Sequence, residues 1–140
     1  MSLPKLEQRL LGVVGGPSAG KPAVLITRRA EQILQALPPK GIEGVVSALE
    51  RWGRTVPLRA ARVRTVVDPE DLDWEEVVFE LLLEARDEEA LALWDPLGSA
   101  MDRELAHLSE SERVLIDQHV GVHLLWGLDF WACGADGAGI

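Results

Sequence analysis

The sequence predicts an α+β fold in which N-terminal helices are followed by a small, mainly antiparallel sheet covered on one face by helices. Three observations predict it. Apolar residues recur at helical spacing through the first third of the chain, the texture turns β-branched from Thr55, and helical spacing returns from Asp87 before a last alternating stretch, "HVGVHLLW". The length of 140 residues suits one domain with its own core, so residues 1–140 are expected to form a single domain with 1–53 as a basic helical segment.

Leu3, Leu6 and Leu10 share a helical face, and Gly15-Gly16 closes the pattern, which predicts a short helix over about 4–13. Ile26, Ala30, Ile33, Leu34 and Leu37 predict a second helix over 22–37, with Pro22 at its first position and Pro38-Pro39 ending it. A third runs through Ile42, Val45, Val46, Leu49 and Trp52 to a cap at Gly53.

Next come "RVRTVV", an acidic turn "DPEDLD" and "WEEVVFELLLEA", read as two antiparallel strands. The last of these also fits a period of 3.6 through Trp74, Val77, Val78, Leu81 and Leu82, so a helix over 74–85 stays open. Asp87, Glu88 and Glu89 suit the positive end of a long helix carrying Leu91, Trp94, Leu97, Met101 and Leu105, with a bend at Pro96. Ser109 to Glu112 matches the capping box S-x-x-E of a short helix reaching about Gln118. Val120, Val122 and Leu124 then alternate as a terminal strand, and the glycine-rich stretch 132–140 is expected to be a mobile tail.

The net charge of -9 is unevenly spread: residues 1–67 carry +7, residues 68–112 carry -14 and residues 113–140 carry -2. Such polarity fits either two differently solvated faces or a basic part that docks on an acidic one, within one molecule or between two. A single cysteine, Cys133, makes no internal disulfide and suits a reducing compartment. Lys5 and Arg9 ahead of "LLGVVGG" imitate a secretion signal, but Glu7 interrupts the basic region and the apolar run is short, so a soluble cytoplasmic protein is expected.

"GGPSAGKPA" approaches a phosphate-binding loop through Gly15, Gly16, Gly20 and Lys21, yet Pro22 stands where a magnesium-binding hydroxyl belongs and removes one N–H from the cradle. What remains is at most an anion or nucleotide site, offered as a second alternative. Arg51, Arg54, Arg59, Arg62 and Arg64 cluster beside two helices and a two-stranded segment, the order of a winged helix-turn-helix, which makes a nucleic-acid-binding regulator the first alternative. Glu43 and Glu50 on the would-be reading helix and the acidic wing tip oppose it.

His119 and His123 have zinc spacing only on a helix, and the acidic loop lacks the pattern of a calcium loop. No serine sits in a nucleophile elbow, so neither catalysis, a cofactor nor a metal is supported. Tryptophans at element spacing are expected as core anchors. The terminal run containing Leu124, Trp126, Leu128, Phe130 and Trp131 holds more apolar surface than a last strand usually hides, so it either completes the core or covers a partner; the second reading makes it the candidate interface for a protein partner, foremost a second copy in a homodimer.

Overall fold

The computed structural model describes residues 3–14, 24–56, 58–68 and 70–126. These form the helices α1 (Leu3–Leu11), α2 (Arg28–Ala36), α3 (Pro39–Gly53), α4 (Asp87–Leu105) and α5 (Glu110–His119), and the strands β1 (Val24–Ile26), β2 (Leu58–Asp68), β3 (Asp71–Leu83) and β4 (Val120–Trp126). Helices and a sheet in one chain make this an α+β fold, as the sequence predicts.

The sheet has the order β1-β2-β3-β4. Only β2 and β3 pair antiparallel; β1 lies parallel to β2, and β4 parallel to β3. The expectation of a mainly antiparallel sheet is therefore corrected. Its physical reason is the return path: α2 with α3, and α4 with α5, carry the chain back along the sheet, so each following strand starts at the same end as the strand before the helices.

A second correction concerns the helix expected over 22–37. Within it, Val24, Leu25 and Ile26 form β1, in register with Ala61, Arg62 and Val63. Helix α2 starts only after Thr27, whose side chain accepts a hydrogen bond from the Ala30 amide at 3.2 Å and so satisfies one of the helix's free donors. A β-branched residue on either side of Leu25 favours the extended form, and pairing with β2 supplies the ladder.

Residues 75–83 belong to β3, which settles the ambiguous stretch as strand. Val77, Phe79, Leu81 and Leu83 point to one face of the sheet and are buried, beside Ala61 and Val63 of β2 and Val120, Val122, Leu124 and Trp126 of β4. Residues from every described helix join that face in one core, including Leu10, Leu34, Val45, Leu49, Leu97, Leu105 and Ile116.

Close helix packing depends on two glycines of α3. A Cβ at Gly41 would collide with the side chain of Ile116 on α5, and one at Gly44 would lie 2.8 Å from Leu105 Cδ2 on α4. Trp52 anchors the same seam: it is buried and its Nε1 donates to the Leu93 carbonyl at 3.1 Å.

Candidate functional site

Two places on the described structure concentrate chemistry: the polar face of the sheet and its β4 edge. On the polar face, Glu76, Val78, Glu80 and Leu82 of β3 stand away from the core, and Glu80 lies opposite Arg62 in the ladder. Arg62 Nε donates to Glu80 Oε1 at 2.6 Å, while Arg64 Nε donates to the same oxygen at 2.7 Å and Arg64 Nη2 to Oε2 at 3.1 Å. Arg62 and Glu80 are buried, 6% and 5% exposed, with Val78 and Ala60 buried on the same face. Burial pushes the Glu80 carboxyl up, but hydrogen bonds and charge from Arg64 and Arg62 outweigh it and hold the group below the ordinary glutamate range.

The other arginines singled out in the sequence mostly pair within the molecule as well. Arg51 meets Glu104 at 3.2 Å, and Arg59 meets Glu84 at 2.8 Å. Arg54, at the end of α3, is exposed and has no described carboxylate partner. Arg29, which the sequence did not single out, forks onto Glu75 and so ties α2 to β3. Basic side chains of residues 1–67 thus meet acids of residues 68–112 inside one chain.

At the β4 edge, Leu124 is 9% exposed and joins the core, while Trp126 packs partly against it and donates from Nε1 to Asp87 Oδ1 at 2.8 Å. Leu128, Phe130 and Trp131 lie outside the described residues, as do Gly15, Gly16, Gly20 and Lys21 of the anion-loop stretch. His119 ends α5, with Nδ1 3.2 Å from the Glu75 carbonyl oxygen, whereas His123 belongs to β4 and is exposed. A change of element therefore separates the two histidines.

Beside β4 runs a groove of about 360 Å³, lined by Ala90, Leu91 and Trp94 of α4 and by His123, Leu124 and Trp126. Leu91 is 63% exposed and Trp94 49%, so Trp94 is not the core anchor its helical spacing predicts. The reason lies in the helix's placement. Ala90 and Leu97 turn the buried side of α4 inward; Leu91 stands about 100° round the helix from Ala90 and Trp94 about 40° to the same side, so both lean toward the flank that overhangs β4.

Among the described residues no further strand pairs with the outer edge of β4. The sequence flagged the strand but not the helix flank. Its available signal was that six large apolar residues between 91 and 105 are more than one buried stripe of a sheet-packed helix needs.

Comparison with protein-family models, with curated proteins and with solved structures finds no match. Among the described residues no helix is long and apolar enough to cross a membrane.

Proposed function

We propose that the protein is an interaction module that docks a protein partner in the groove between α4 and β4. One observation carries the reading: two large apolar side chains, Leu91 and Trp94, stand exposed directly beside β4, whose outer edge no other described strand pairs. Exposed apolar surface next to unpaired backbone donors and acceptors is the combination that strand addition uses, with main-chain hydrogen bonds for affinity and side-chain pockets for specificity. Trp94 is the residue type that most often anchors such contacts.

The nucleic-acid alternative draws less support, because Arg51, Arg59, Arg62 and Arg64 each face a carboxylate of the same chain. Phosphates would have to compete with those partners.

Photocrosslinking from the groove tests the docking reading. A photoreactive residue at Leu91, introduced in the native host, is expected to give a discrete protein adduct, while the same residue at the exposed Gln35 on α2 gives none. Adding Trp94→Ser to the Leu91 crosslinker should abolish the adduct. Equal labelling from both positions, or none from Leu91, would refute the reading.

A further inference from the structure

The groove's charges specify what kind of partner it takes, a step that rests on the docking reading above. From Asp87 to Asp102 helix α4 contains no basic residue. On the flank that carries Leu91 and Trp94, Asp87 lies one helical turn before Leu91, Glu88 three residues before it, and Asp95 four residues after it. Glu88 and Asp95 are exposed and meet no cation among the described residues, and Asp87 is engaged only through the indole of Trp126. Arg86, just before the helix, is the neighbouring positive charge.

Six glutamates elsewhere are paired internally: Glu43 and Glu50 meet Arg9, Glu75 meets Arg29, Glu80 meets Arg62 and Arg64, Glu84 meets Arg59, and Glu104 meets Arg51, while Glu7, Glu31, Glu76 and Glu110 meet no cation among the described residues but lie away from exposed apolar Leu91 and Trp94. The groove rim keeps its negative charge. Carboxylates in the first turn of α4 suit the helix dipole, but Asp95 lies beyond that turn and dipole stabilisation does not account for it.

We infer that the groove receives an extended, basic segment of another protein, which adds to β4 as a strand and sets an aliphatic or aromatic anchor between Leu91 and Trp94, its lysines or arginines facing Glu88 and Asp95. A second copy of this chain is the poorer fit. A two-fold dimer through β4 would bring one acidic rim against its own image, and like charges across an interface oppose docking.

The probe is a synthetic peptide of about eight residues alternating lysine and valine, compared with its glutamate-for-lysine counterpart by amide chemical shifts of the isotope-labelled full chain. The lysine peptide is expected to move the amides of β4 and of residues 87–95 saturably and to weaken several-fold as salt rises; the glutamate peptide should leave them in place. Leu91→Ser with Trp94→Ser should remove binding while the spectrum stays folded. In the double variant Glu88→Lys, Asp95→Lys the preference should pass to the glutamate peptide.

Equal response to both peptides, an unchanged lysine preference in the charge-reversed variant, or shifts scattered over other acidic surfaces would each overturn the inference. So would a wild-type dimer in sedimentation whose interface holds the β4 amides. A crosslink at Leu91 together with peptides that bind regardless of charge would retire the basic partner and leave the docking surface standing.

Discussion

Glu80 shows how a single side chain fixes the polar face of the sheet. Its carboxylate takes hydrogen bonds from two arginines, one of them buried, so removing its charge deprives a buried guanidinium of its Glu80 counter-charge. Glu80→Gln is predicted to cost about 3 kcal/mol in urea unfolding at neutral pH, whereas replacing Arg62 and Glu80 together by Met and Leu should cost less, since the buried charge and its counter-charge are then removed together. Arg64, about a third exposed, can turn to water in the double variant. The pH dependence has a definite sign. Because the folded Glu80 carboxyl titrates below its ordinary range, its contribution is complete above the ordinary glutamate pKa and is lost as the pH falls through the lowered folded value. Wild type should lose stability across that acid window, and Glu80→Gln should show a shallower slope there. At Gly41 the decisive quantity is space rather than charge. Gly41→Ala should cost about 1–3 kcal/mol through the collision with Ile116, and noticeably less in an Ile116→Ala background, where the methyl finds room.

Among the elements, those with a local terminus signal were legible in the sequence, and those made by pairing were not. The capping box at Ser109 is an example of the first kind. The Ser109 side chain accepts from the Glu112 amide at 3.2 Å and Glu112 Oε1 accepts from the Ser109 amide at 3.1 Å, so α5 begins where the S-x-x-E pattern placed it. Ser109→Ala is expected to lower stability by about 1 kcal/mol in thermal or urea unfolding. Strand β1 is the second kind: a run of three apolar residues sits in phase with the helix that follows, and only its partner Ala61–Val63 distinguishes it. The same holds for β3, where Trp74, Val77, Val78 and Leu81 fit either period until two neighbouring strands supply the ladder. Helix α4 was legible as a helix but not in its facing, since Ala90 and not Leu91 turns inward. Leu91→Ser and Trp94→Ser should accordingly change stability by no more than about 0.5 kcal/mol in urea unfolding, the range of surface substitutions, even though both remove large apolar groups.

At the scale of the molecule, the charge polarity visible in the sequence becomes intramolecular docking, with arginines of the first half meeting glutamates of the second across β2 and β3, α2 and β3, and α3 and α4. Topology was not readable in the same way, because strand direction depends on where paired helices return the chain. The two crossovers, β1 to β2 and β3 to β4, step the same way across the sheet while their strands run in opposite directions. With the helices of both gathered on one core face, the crossovers have opposite hands, so one is left-handed, against a right-handed rule that holds in about 98% of cases. The glycine-mediated seams from α3 to α4 and α5 hold that unusual path together. Such a path also ends the described sheet on β4, whose outer edge no other described strand pairs, and the docking reading depends on that edge. Amide hydrogen exchange along 120–126 in the free protein measures it most directly. Alternation is predicted, with amides that donate to β3 protected and those between them exchanging fast, the fast set slowing when the lysine–valine peptide is added. Uniform slow exchange through the whole strand in the unliganded monomer would contradict the account.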